Sequence, residues 1–176
     1  MQKNNLKKYR SVIILVVLFF LPIGSAFYIF SQPMLLRKLS TTNYGQWAPQ
    51  LDWQLNKPKA RPWQLVLWQN GPCEQQCMQQ LDQLARIRLA MGRKVYELSL
   101  VLLVPEGMQL TKQQTDQLKD NNIDYQYLPR EKVPTWNKNF QVKPVVLFSP
   151  EHLSILMYPK DLEPKKMYHD LQVLIK

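Results

Sequence analysis

The stretch Trp63-Gln-Leu-Val-Leu-Trp68-Gln-Asn-Gly-Pro-Cys73-Glu-Gln-Gln-Cys77 constrains this chain more than any other. Trp63 to Trp68, with Leu65-Val66-Leu67 at its centre, reads as a buried strand. Asn70-Gly71-Pro72 makes a turn, and Pro72 suits the first turn of a helix, where a missing N–H costs nothing. Both cysteines of the protein follow at once. At about 100° per residue, Cys73, Cys77, Leu81, Leu84, Ile87 and Met91 share an arc of about 120°, so a helix is predicted from Cys73 to Met91. Gly92 stops it, followed by Arg93 and Lys94. Val95 to Val104 is a second strand signal. Strand, helix and strand within about forty residues form a βαβ unit, which implies a parallel pair.

Upstream, Lys3, Lys7, Lys8 and Arg10 precede nineteen uncharged residues, Val12 to Phe30. At about 1.5 Å per residue this run matches a hydrocarbon core of about 30 Å. Pro22 and Gly24 are tolerated inside such a helix. The basic flank predicts a cytoplasmic N-terminus and a C-terminal domain on the far side. The alternative is a signal peptide cleaved near Gly24-Ser25-Ala26. A retained anchor is the better reading, because the apolar run continues through Phe27-Tyr-Ile-Phe30.

The expected organisation is a cytoplasmic flank at 1–11, a transmembrane helix at 12–30, a connector at 31–60 and a folded domain at 61–176. In the connector, Thr41 to Pro49 has turn chemistry beside large aromatics, and Trp47 and Trp53 are expected to cover an edge of the domain. Four of the 23 Lys and Arg lie in the N-terminal flank, leaving 19 against 13 acids. Lys57, Lys59, Arg61, Lys165 and Lys166 read as a solvated basic surface, able to face anionic lipid or an acidic partner. No nucleic-acid recognition motif is present, so no such partner is expected.

Within the domain, Thr111-Lys-Gln-Gln114 has the form of a capping box, opening a largely exposed helix to about Asn121. Ile123 to Leu128 reads as a short edge strand. Val145 to Tyr158 reads as two strands around a turn at Ser149 to His152. Glu163-Pro164 opens a last helix with Met167, Leu171 and Leu174 on one face.

The cysteine spacing is C-x3-C. Residues four apart on a helix have Cα atoms about 6 Å apart, within the range a disulfide bridges. The same spacing lets two thiolates converge on one soft ion such as Cu(I). A helix N-terminus should favour the thiolate of Cys73. An inert local disulfide is the competing reading. Met78 offers a soft donor beside Cys77, but an ordinary helix methionine is much the better reading. His152 and His169 read as surface or cap residues. No P-loop, G-x-S-x-G or H-E-x-x-H motif is present.

The element order, βαβ-α-ββ-α, with a cysteine pair opening the first helix after a strand ending in Trp, resembles a thioredoxin-like α/β domain. The segment Lys143-Pro144-Val-Val-Leu-Phe148 resembles the place where that fold sets a cis-proline beside the cysteines. The C-x3-C pair on a membrane-anchored domain of this type resembles the Sco-type proteins of cytochrome oxidase assembly. More closely, the chain resembles a small bacterial membrane protein associated with cytochrome c oxidase assembly genes. Asn43-Tyr-Gly45, Gly71-Pro-Cys73 to Cys77 and Leu84 to Gly92 carry that likeness, which covers residues 41–176.

The resemblance implies a bacterial inner-membrane protein with a periplasmic domain that handles copper, or the thiol state of a copper site, through Cys73 and Cys77. Its implied partners are an oxidase subunit or a copper-carrying protein, and Pro144 is the implied structural neighbour of the site. Sco-type proteins add a histidine ligand just ahead of the strand that matches Pro144 to Phe148. Here that stretch reads Asn139-Phe-Gln-Val-Lys-Pro144, so the third ligand does not carry over. The alternatives are a general thiol–disulfide oxidoreductase, with Cys73 attacking and Cys77 resolving, and a non-catalytic tethered domain with a structural disulfide.

Overall fold

The structure is a computed structural model that describes residues 5–31, 43–50 and 63–175. It divides into two units, Met1–Thr42 and Asn43–Lys176. In the first, α1 spans Asn5–Ser31 and contains the whole uncharged run. Its described side chains are uncovered on every side, with Leu18 69%, Phe20 68% and Phe27 77% exposed. Side chains are described over only part of this helix, and among the described residues no helix is long and apolar enough to cross a membrane.

The second unit carries β1 (Gln46–Trp47), β2 (Trp63–Trp68), α2 (Gln75–Ala90), β3 (Leu98–Pro105), α3 (Lys112–Asp120), β4 (Ile123–Leu128), α4 (Val133–Phe140), β5 (Val145–Phe148), β6 (Ser154–Tyr158) and α5 (Pro164–Leu174). Six strands form one sheet in the order β1-β6-β5-β2-β3-β4. β2, β3 and β4 run parallel; β5, β6 and β1 are antiparallel to their neighbours. The central strands are buried on both faces, which is why they read as unbroken apolar runs.

Crossover handedness sorts the helices. The connections β2-α2-β3 and β3-α3-β4 step in one direction across the sheet, whereas β4-α4-β5 steps back. Right-handed crossovers between these parallel strands put α2 and α3 on one face, while α4, which leads into the antiparallel β5, packs on the other. The core follows this division. Cys77, Leu81, Leu84 and Ile87 of α2, Leu118 of α3 and Met167 and Leu171 of α5 pack on one face with Leu65, Leu67, Leu100 and Leu102. Trp136 and Phe140 of α4 pack on the other with Val66, Trp68, Val101, Val146 and Phe148.

Several elements differ from the sequence reading. Helix α2 begins at Gln75, with Glu74 as its N-cap, so Cys73 lies outside it. The second strand begins at Leu98 because Gly92–Glu97 is a 3-10 helix, entered through Gly92 at φ +62°. Helix α4 is absent from the order read off the sequence, although Trp136 and Phe140, four residues apart, are its buried stripe. The capping box at Thr111 and Gln114 is present, and Leu118 is the buried residue of α3. β4 is an edge strand and Ser149–His152 is the turn of the β5–β6 hairpin.

From the connector stretch, β1 pairs Gln46 with Met157 and Trp47 with Leu156. Trp47 thus sits at the β6 edge, 48% exposed; Trp53, Lys57, Lys59 and Arg61 lie outside the described residues. Lys166 pairs with Glu163 at 3.5 Å, and Lys165 is exposed.

Candidate functional site

The cysteine turn leaves the sheet where β2 ends. The Trp68 amide donates to the Pro144 carbonyl at 2.8 Å, and the Gln69 amide to the Leu103 carbonyl at 3.0 Å. The Trp68 indole donates to Asn137 Oδ1 at 3.1 Å, tying the strand end to α4. The Gln69 side chain donates to the Pro72 carbonyl at 3.2 Å, and the Glu74 amide donates to the same carbonyl at 2.9 Å. This tight turn stops the helix from reaching back to Cys73.

Cys73 and Cys77 form a disulfide, with Cα atoms 5.1 Å apart. Cys73 precedes the N-cap and Cys77 is the third residue of α2, so the helix N-terminus serves both sulfurs. Unpaired amides and the helix dipole stabilise negative charge there. Both residues are buried, Cys73 2% and Cys77 5% exposed.

Each cysteine nevertheless helps to line a groove. Cys73 lies in one of about 480 Å³ between α2 and α3, with Met78, Gln79, Asp82, Thr111 and Gln114. Cys77 lies in another of about 320 Å³, with Gln69, Pro72, Gln80 and Lys160.

Two contacts that the sequence did not disclose hold Cys73. Gln114 Nε2 donates to its carbonyl at 2.6 Å, while Gln114 Oε1 accepts the Thr111 amide at 2.8 Å. One side chain therefore closes the α3 capping box and fixes the cysteine turn. Met78 Sδ lies 3.6 Å from Cys73 Sγ. In the disulfide Cys73 has no proton to donate, so this is a sulfur–sulfur contact.

The other candidates are placed apart. No cis peptide bond occurs among the described residues, which corrects the expected cis form at Pro144. A trans X–Pro bond is favoured by about 0.5–1 kcal/mol unless packing opposes it. Trans Pro144 still lies across from Trp68, at the strand end that feeds the turn. His152 sits beyond Phe148, which pairs with Gln64 at the opposite end of β2. At about 3.3 Å per residue, the strand length separates it from the cysteines. Its backbone is left-handed (φ 63°), and both ring nitrogens are buried without a hydrogen bond. His169 is exposed on α5, edge-on to Tyr44. Among the described residues no three His, Cys, Asp or Glu side chains are grouped to hold a metal.

A buried carboxylate was also missed. Asp170 is fully buried and accepts the Tyr44 amide at 3.1 Å and the Gly45 amide at 2.8 Å. This is the structural content of Asn43-Tyr-Gly45: a Cβ on Gly45 would stand 2.5 Å from Tyr158 Cε1. Burial first, then the Asp170 charge, holds the Tyr158 hydroxyl well above the usual tyrosine range. The hydroxyl is buried without an ordinary hydrogen bond, and the Asp170 carboxylate acts on it through its charge. The visible signal was an acid beside the apolar stripe of the last helix.

The family described as "Transmembrane-like, thioredoxin-like, C-terminal domain" matches residues 63–176, from the first residue of β2 onward. The chain belongs to this transmembrane-like, thioredoxin-like family. Among solved structures, its fold is similar to yeast Sco1 with copper bound, at 13% identity and a TM-score of 0.51, covering 65% of this chain and 76% of that one. It is also similar to copper-bound ScoI of Arabidopsis thaliana, at 14% identity and a TM-score of 0.50, covering 64% and 83%. At these identities the likeness carries the thioredoxin-like fold alone. Among curated proteins none matches. In this family member the cysteine pair stands at the N-terminus of the helix after the central strand, with a methionine sulfur as its soft neighbour.

Proposed function

We propose that this protein is a membrane-tethered assembly factor for a respiratory cytochrome c oxidase, handling copper, or the thiol state of the oxidase copper site, through Cys73 and Cys77. The observation that carries the reading is the disulfide between them at a helix N-terminus, each half lining a groove. Solved proteins of similar fold have been obtained with copper bound. The tether is α1: a helix apolar on all sides and uncovered within its own unit suits lipid. Its basic flank favours a single pass through a bacterial inner membrane with the domain in the periplasm.

The chemistry is thiol exchange or metal capture. In exchange, the reduced Cys73 thiolate attacks a partner disulfide and releases one partner thiolate. Cys77 then attacks the mixed disulfide, releasing the second. Two electrons pass to the partner, and Cys73 and Cys77 end in the bridged state seen here. In metal capture, the two thiolates take Cu(I) as cargo, a soft ion that such ligands select. The residues present fit a sulfur site and do not fit the two-cysteine, one-histidine set, since neither histidine stands at the cysteine turn.

Burial favours one competing reading, a structural disulfide in a non-catalytic domain. A ring this short offers less entropic stabilisation than the about 3 kcal/mol of a 15-residue loop, which weakens it. General thiol–disulfide exchange is the other alternative. The experiment is anaerobic competition for Cu(I) against a chelator, using the reduced full chain in detergent. Binding of one ion that both Cys73→Ser and Cys77→Ser abolish supports metal capture. Copper binding by both variants at the parent's strength refutes it.

A further inference from the structure

The Cys73–Met78 contact supplies what the histidines do not. Met78 is the residue after Cys77, in the first turn of α2, and its amide bonds the Glu74 carbonyl at 3.1 Å. Because Cys73 lies before the N-cap, its sulfur folds back over that turn and meets the thioether at 3.6 Å. Three sulfurs thus converge on one helix end. With a metal–sulfur length of about 2.3 Å, two sulfurs sharing an ion at ordinary angles lie about 3.3–4 Å apart. The observed separation falls within that span.

We infer that Met78 is the third ligand of a Cu(I) site formed when the disulfide is reduced, a site of two thiolates and one thioether. This rests on the metal-capture form of the function proposed above. A small thiol reductant supplies the first step: two R–SH become R–S–S–R, and Cys73 and Cys77 gain two electrons and two protons. Cu(I) then displaces both protons, giving a complex of net charge −1. The helix N-terminus stabilises that charge. The flanking glutamine amides add none, Asp82 at the groove edge is engaged by Arg86 at 2.8 Å, and the one further carboxylate of the groove lining, Glu74, is exposed to solvent, where its repulsion is screened. All-sulfur coordination selects Cu(I) over harder ions.

The packing role of Met78 can be separated from its donor role. Leucine conserves volume in a core at a cost below about 1.5 kcal/mol, so Met78→Leu removes the sulfur and keeps the shape. The test uses the full chain in detergent, selenomethionine-labelled, reduced anaerobically with a small thiol and loaded with Cu(I) alone. Copper-edge X-ray absorption of the parent should show two sulfur neighbours and one selenium. In Met78→Leu the selenium signal should vanish, leaving two-coordinate copper. Losing even an outer-shell partner costs about 10–100-fold in metal affinity, so loss of this ligand should weaken chelator competition at least about tenfold. The midpoint potential of the cysteine pair should stay as in the parent.

A parent spectrum without selenium overturns the inference and needs no variant. A selenium signal that persists in Met78→Leu assigns it to another of the seven methionines and also overturns it. Either result leaves the cysteine reading standing. A parent that takes up no Cu(I) sinks the inference together with the metal-capture form of the function, and leaves thiol exchange as the role of the pair.

Discussion

Gln114 holds Cys73 by its backbone: the amide nitrogen on α3 donates to the Cys73 carbonyl at 2.6 Å, while the amide oxygen of the same side chain caps its own helix. Gln114→Ala removes both bonds, and about 1–2 kcal/mol of stability should go with them in urea denaturation. Gln114→Glu keeps the acceptor for Thr111 but loses the donor to Cys73, so it should recover only part of that loss. Parental stability in Gln114→Ala would show that the two elements are held together by other contacts.

Tyr158 makes stability depend on pH at the alkaline end. Its folded-state pKa is raised by burial and by Asp170, so the folded protein keeps a proton that the unfolded chain releases near pH 10. The contribution is fully present below about pH 10 and is lost above it, at about 1.4 kcal/mol per pH unit. Tyr158→Phe removes this slope and, since the hydroxyl has no well-aligned partner, costs little at pH 7. Paired denaturation series from pH 8 to 11, compared by difference, measure it. Equal slopes for the two proteins would refute the assignment.

Gly45 sits where the Asp170 carboxylate and the Tyr158 ring leave no room for a side chain. Gly45→Ala must displace a buried ring in the core, at a cost of about 1–3 kcal/mol. The loss should fall first on the β1–β6 pairing, so amide exchange at Ala48, bonded to the Ile155 carbonyl at 3.0 Å, should accelerate more than exchange in β2. Uniform acceleration throughout the sheet would contradict this local account.

The path from residues to fold was readable wherever one signal dominated. The Leu65 to Leu67 run, the α2 stripe and the hairpin strands each belong to an element buried by its own pattern, and the Gly-Pro turn is marked by its residue types. Helix α4 escaped because it is only eight residues long, with Val133, Trp136 and Phe140 as its apolar stripe and Pro134 and Lys138 set among them. The edge strand β1 is two residues long, too short for any alternation. At the site, the turn and the cysteine pairing range were local and therefore legible. Gln114 and Asp170 act on residues 41 and 125 positions away, at distances no sequence period encodes. The Met78 contact depended on Cys73 standing just outside the helix, and that in turn on the bonds of Pro72.

The central claim is that Cys73 and Cys77 are a working pair rather than a strut. The midpoint potential of this disulfide in the full chain, equilibrated anaerobically against thiol redox buffers, tests it most directly. A working pair should titrate within about −270 to −120 mV, the span of known exchange proteins. A midpoint below about −300 mV would mark a structural bridge and contradict the account.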